Sequence, residues 1–207
     1  MPETPLLEGS HARLEPLALS HLPGLLAAAQ GGGELFRWTS VPDTLAGMRA
    51  YVEAALRSQA QGDAAPFATV RRSDGLVVGC TRFFLLERWS WPAGHPRAGR
   101  AAPDGCEIGY TWLNASAIRT AINTEAKHLM LRHAFEAWGA HRVCFHTDAR
   151  NERSRDALLG IGASFEGILR AHRLSSDFRP RDSARYSVLA SEWPAISERL
   201  LQRLRRP

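Results

Sequence analysis

The sequence predicts an α/β fold: a mixed, mostly antiparallel central sheet flanked by helices on both faces. Three observations carry this expectation. Residues 107–154 run from a strand-like EIGYTWL through a polar turn into the amphipathic stretch NTEAKHLMLRHAFEAWG, then into the β-rich HRVCFHTD and a second helix start at NERS. Before that stretch, Ser73, Asp74 and Gly75 join two β-like runs as a hairpin turn. The full order reads β-α-α-β-β-β-α-β-α-β-β-α, with antiparallel hairpins in its first half and βαβ units in its centre.

Taken in order, residues 11–17 form the first strand. Ser20 is placed to cap a helix through about residue 29, with Leu22, Leu25 and Leu26 on one face and three glycines stopping it. An aromatic loop over residues 34–42 holds Phe36 and Trp38. Asp43 is placed to cap the next helix, where Met48, Tyr51, Val52, Ala55 and Leu56 repeat at helical spacing until Gly62. Strands are expected at 66–71 and 76–86, followed by a long loop over 88–104 that carries Trp89, Trp91 and His95. A strand at 106–113, a helix at 124–138, a strand at 142–148 and a helix at 151–159 make up the centre. Residues 164–174 and 183–189 form a closing hairpin, and an amphipathic helix starts near Pro194.

At 207 residues, with 44% hydrophobic and 23% charged residues, the chain has the composition of a soluble globular protein. It is expected to be one domain, 1–207, with a C-terminal helix. Its apolar runs are too short to cross a bilayer, and MPETPLLEGS has no signal-peptide pattern, so no membrane partner and a cytoplasmic location are expected. Cys80, Cys106 and Cys144 show no metal spacing and read as reduced, mostly buried thiols. The histidines pair with no carboxylates in a metal motif, so no metal is expected. The net charge of +5 comes from arginine, since Lys127 is the only lysine. Arg150, Arg153 and Arg155 form one cluster; Arg170, Arg173, Arg179, Arg181 and Arg185 form another. They read either as solvated faces or as a site for an anionic ligand such as a phosphorylated cofactor. No nucleic-acid-binding motif is present, so direct nucleic-acid binding is not expected.

The element order, with EIGYTWL, NTEAK, NERS and IGASFEG, resembles the GNAT superfamily of CoA-dependent N-acyltransferases, and within it the RimJ/RimL type. The resemblance spans residues 11–193 and is most specific over 107–167. It implies acetyl-CoA as co-substrate. It also implies an acceptor that is either a small-molecule amine or a protein N-terminal α-amine, ribosomal proteins included, and a monomer or homodimer. The family's pyrophosphate loop precedes a helix. Here Ile118, Arg119, Thr120, Ala121, Ile122 and Asn123 align with it, followed by Thr124, and Ile118 replaces the usual Gln or Arg. A helix start after a strand presents backbone N–H groups and a positive dipole end to phosphate. Asn123 tolerates left-handed geometry and is also a capping residue.

The resemblance places the pantetheine arm along residues 109–113, including Trp112 and Leu113, with backbone N–H groups polarising the thioester carbonyl. Asn151 and Arg155 are the remaining expected coenzyme contacts, with Asn151 equally able to act as a helix cap. Glu107 matches the carboxylate that takes the amine proton in several GNAT enzymes, and Ser154 matches a RimL-type serine close to the coenzyme sulfur. The carboxylate that RimL-type enzymes carry on the penultimate strand has its counterpart at His172 and Arg173, which makes His172 the second candidate base. Phe36, Trp38, Trp89 and Trp91 are the candidate acceptor-binding residues. A non-catalytic acyl-CoA-binding module is the competing reading.

Overall fold

The computed structural model describes residues 4–175 and 178–205. The strands are β1 (Leu7–Glu8), β2 (Ala12–Pro16), β3 (Ala64–Arg71), β4 (Val77–Glu87), β5 (Gly105–Leu113), β6 (Arg142–Asp148), β7 (Ser164–Leu174) and β8 (Pro180–Leu189). The α-helices are α1 (Leu22–Ala29), α2 (Leu45–Ala60), α3 (Ala121–Arg132), α4 (Glu152–Ile161) and α5 (Trp193–Leu204). The strands form one sheet ordered β1-β2-β3-β4-β5-β6-β8-β7. The predicted fold class is therefore the observed one.

One correction concerns the centre of the sheet. Only β5 and β6 pair in parallel, joined by α3, while β8 inserts between β6 and β7 and runs antiparallel to both. There is thus a single adjacent βαβ unit, not several. Its parallel ladder is short. It runs from Gly105↔Arg142 to Glu107↔Cys144 and ends there, although both strands continue.

A bulge in β5 explains the parting. Tyr110 and Thr111 together face the single residue Thr81 of β4, between the pairs Cys80↔Trp112 and Arg82↔Gly109. Tyr110 adopts φ 51°, a left-handed geometry that is rare outside glycine. A bulge bends its strand and strengthens the local twist, which turns the rest of β5 away from β6.

Apolar side chains fill both faces. On one face α3 and α5 pack Leu129, Met130 and Leu200 against Phe67, Phe83, Ile108, Phe145 and Tyr186. On the other, α1 and α2 cover β3 and β4 with Leu25, Met48 and Val52 against Ala68, Cys80 and Trp112. Cys80, Cys106 and Cys144 are buried free thiols.

Several expected helix ends move. Thr44, not Asp43, caps α2, accepting from the Gly47 N–H at 3.1 Å. Ser20 lies inside a 3-10 turn, and α1 starts after His21 without a side-chain cap. Helix α3 begins at Ala121 rather than 124, capped by Thr120, and its last turn widens into a π-turn over His133–Ala137. Asn123 is therefore helical, and the left-handed residue is Arg119 at φ 62°. Asn151 does cap α4, but Gly160 lies within that helix and Gly162, at φ 94°, ends it.

Candidate active site

The fork between β5 and β6 brings together side chains far apart in the sequence. Glu107 stands at the last rung of the parallel ladder and is 3% exposed. Arg173 grips its carboxylate with two hydrogen bonds, at 3.0 and 2.7 Å. Arg173 reaches it from β7 because β7 bulges. Between the pairs Leu169↔Ser183 and Arg173↔Arg181, three β7 residues face the single residue Asp182. Ala171 takes φ 46° at the bulge and donates its N–H to Asp182 Oδ1 at 2.9 Å. The extra residues turn His172 and Arg173 over the sheet toward Glu107.

His146 of β6 completes the cluster. Its Nδ1 lies 3.0 Å from Glu107 Oε2, and its side chain is 6% exposed. The contact has ion-pair distance but poor alignment, so neither ring nitrogen makes a directed hydrogen bond among the described residues. The His172 ring lies 4.8 Å from the His146 ring. Glu107, Cys144, His146, His172, Arg173 and Arg185 line one cavity of about 180 Å³.

The electrostatics follow from these contacts. Burial pushes the Glu107 carboxyl up, but the His146 ring and the Arg173 guanidinium beside it more than offset burial and hold the acid below its ordinary range. Glu107 is therefore ionised at neutral pH and, with Arg173 on both oxygens, a poor proton acceptor. Burial, then the neighbouring Arg173 charge, lowers His172, so this imidazole is neutral at pH 7.

Helix α3 starts just beyond the end of β5. Thr120 Oγ1 accepts from the Ile122 N–H at 3.3 Å and donates to the Ala117 carbonyl at 2.7 Å. Ile118 and Ile122 pack with Leu113, Val78 and Ala117 in a small apolar cluster that seats this helix end. Arg119 and Thr120 are exposed, whereas Ile122 and Thr124 are buried and offer a ligand only backbone. Trp112 is likewise buried, edge-on to Phe36 at 5.6 Å.

At the start of α4, the Asn151 side chain accepts from the Ser154 N–H at 3.1 Å, which satisfies the capping reading. Ser154 is half-buried. Arg155 is tied down by the Tyr186 hydroxyl and the Ala149 carbonyl, both at 3.1 Å. These bonds use Nε and one terminal nitrogen of the guanidinium.

The four candidate acceptor aromatics are not brought together. Trp38 stacks under Arg37 and Arg150, the latter just past the end of β6. Arg150 lines a cleft of about 370 Å³ with Asp148, Arg179, Arg181 and Asp182. Trp89 and Trp91 lie at the opposite end of β6, where Trp89 stacks on His141 at 5.2 Å and Trp91 on His95 at 4.3 Å. Trp89 touches the 180 Å³ cavity only through Glu87, whose carboxylate accepts from its indole N–H at 3.3 Å. Sequence reasoning missed His146 altogether; its position two residues beyond Cys144 on the same strand face was the available signal.

The comparisons agree with this architecture. A family model for the GNAT acetyltransferase domain matches residues 11–164. A structure from T. thermophilus assigned to the acetyltransferases is 38% identical, covering 99% of this chain and 98% of that one, with a TM-score of 0.78. A GCN5-related N-acetyltransferase from Brucella melitensis is 30% identical over 98% of this chain and 86% of that one, with a TM-score of 0.83. Mycobacterium smegmatis RimJ, solved with CoA-disulfide, shares the fold at 21% identity, covering 93% of this chain and 88% of that one, with a TM-score of 0.76. No curated protein sequence matches the chain. Family match, identity and topology lead to one conclusion: the chain belongs to the GNAT acetyltransferases, enzymes that draw their acyl group from acetyl-CoA.

Proposed function

We propose that this enzyme acetylates a primary amine, either a protein N-terminal α-amine or a small-molecule amine, by direct attack on acetyl-CoA in a ternary complex. The observation that carries the reading is the fork itself: β5 and β6 part directly beyond Glu107↔Cys144, beside the cavity that holds Glu107, His146 and His172. The cofactor's thioester lies along the freed edge of β5, with backbone N–H groups there stabilising the oxyanion. Its pyrophosphate lies over the start of α3, at Arg119, Thr120, Ala121 and Asn123. Ser154 stands where its hydroxyl assists the departing thiolate, and Asn151 holds the first turn of α4 in place.

The acceptor follows from proton energetics. A free α-amine, with a pKa of about 7.7–8.0, is partly neutral near pH 7. A lysine side chain at about 10.4 demands roughly 2.5 units more, about 3.4 kcal/mol. The ionised, Arg173-bound Glu107 is a weak base for that larger task, which favours a low-pKa amine. Trp38 and Arg150 form the acceptor's way in from the end of β6.

The test is a melting curve with CoA, followed by thiol release from acetyl-CoA over a panel of α-amine peptides and small amines. A ligand that binds the native state raises the melting temperature. No shift at millimolar CoA ends this reading. A shift without turnover on any amine favours a non-catalytic acyl-CoA-binding module.

A further inference from the structure

We infer that His146 Nε2 takes the proton of the attacking amine and that Glu107 acts through His146 as a positioning residue. This rests on the acyl-transfer reading above. The side chain of His146 is 6% exposed, yet neither ring nitrogen has a directed hydrogen bond among the described residues. A buried polar group without a partner calls for an explanation, and an arriving ligand is one. His146 lines the 180 Å³ cavity and is the first residue of that strand face beyond the fork, two positions after Cys144.

The neighbours assign the roles. Glu107 from β5 lies 3.0 Å from Nδ1, so it favours the tautomer with the proton on Nδ1 and the lone pair on Nε2. The same carboxylate stabilises the imidazolium once Nε2 is protonated. Arg173, held by Glu107, and Arg185, opposite His146 on β8 and paired with Glu166 at 3.2 Å, are the facing cations. Cys144 lines the cavity from the same strand. The His172 ring, from β7, lies 4.8 Å from the His146 ring; burial and the positive charges of Arg173 and Arg181 oppose its protonation, and among the described charged neighbours Glu107 alone favours it. His146 is the ring that has the Glu107 carboxylate at ion-pair distance, 3.0 Å from Nδ1.

The step balances without an added reagent. The amine nitrogen bonds to the thioester carbonyl carbon, and the ammonium proton of the tetrahedral intermediate passes to Nε2. The C–S bond then breaks, the sulfur leaves with its electron pair, and the imidazolium returns the proton through water to the thiolate. Products are the amide and CoA thiol, with His146 neutral again.

Two measurements decide it. In nitrogen-labelled wild-type protein, the imidazole signal absent from His146→Asn identifies His146. We expect the Nδ1–H tautomer in wild type and a mixture of tautomers in Glu107→Gln. The Nε2–H tautomer, or a tautomer population unmoved by Glu107→Gln, overturns the inference whether or not any amine is turned over. With an amine the wild type accepts, His146→Asn should bind CoA as tightly as wild type but lose about 100-fold or more in kcat, together with the acidic limb of the pH–rate profile. If His172→Asn removes that limb and His146→Asn keeps it, the inference fails while the acetyltransferase reading stands. If CoA does not bind to wild type, the acetyltransferase reading itself has failed.

Discussion

Arg173 holds both carboxylate oxygens of Glu107 although β6 and β8 separate their strands in the sheet. Arg173→Met removes two charge-assisted hydrogen bonds from a buried carboxylate and leaves it His146 at ion-pair distance. Breaking a buried pair on one side costs about 3–5 kcal/mol. Because Arg173 is 29% exposed, we expect a loss nearer 2 kcal/mol by urea denaturation at pH 7. Glu107 has a lowered folded-state pKa, so its contribution is present above the unfolded carboxyl's value near 4.5 and is lost as pH falls through the lower folded value. The variant should shed stability at a higher pH than wild type. A parallel pH dependence of the two proteins would show that Arg173 does not hold the carboxylate ionised.

Lys127 makes an opposite prediction. It is buried in α3, donating to Thr111 Oγ1 at 2.7 Å and Thr81 Oγ1 at 3.3 Å, and burial lowers it from 10.5 to about 7. The unfolded chain binds the proton more tightly, so wild-type stability rises with pH between about 7 and 10.5. Lys127→Met should stabilise the fold at pH 7 by about 2 kcal/mol, since Thr81 and Thr111 still bond each other at 2.8 Å. That advantage should shrink toward pH 10. A constant or growing advantage would mean that the ammonium is not desolvated.

Glu125, also on α3, accepts from the backbone N–H groups of Ser10, His11 and Ala12 at 2.8, 2.6 and 2.6 Å. Glu125→Ala strips the turn between β1 and β2 of these partners and should cost about 3 kcal/mol, read from the denaturation midpoint. Hydrogen exchange should rise first at these three amides. Protection unchanged there would show that the turn stands without Glu125.

At the start of α3, Ala121→Ile should weaken CoA about tenfold by crowding the backbone proposed to hold the pyrophosphate, with little change in stability. Thr120→Ala should instead cost about 1 kcal/mol in stability by removing the acceptor of the Ile122 N–H. Calorimetric titration with CoA and thermal melting separate the two effects. Equal CoA affinity in Ala121→Ile and wild type would move the phosphate site elsewhere.

Ser154→Ala should lower turnover more than CoA affinity, because a hydrogen bond to sulfur strengthens as negative charge develops there. Equal losses would reduce Ser154 to a residue of the α4 cap.

What the sequence determined by itself was whatever local pattern encodes. The alternation of β6 and β7 set their bounds, Ser73-Asp74-Gly75 set the hairpin, and Asn151 announced the start of α4. Glu107 was legible through the family resemblance, which puts a carboxylate at that place in the central strand. The start of α3 was not, because Thr120 and Asn123 are both competent caps. The choice fell to the packing of Ile118 and Ile122, which is a tertiary quantity. His146 alternates in β6 like any strand residue, and only the fork opened by the Tyr110 bulge exposes its ring to a cavity. The β7 bulge at Ala171 carries no glycine to mark it, yet it delivers His172 and Arg173 across two strands to Glu107. Local propensity acts over a few residues, whereas the charge balance at this site depends on atoms that meet only once β8 has inserted between β6 and β7.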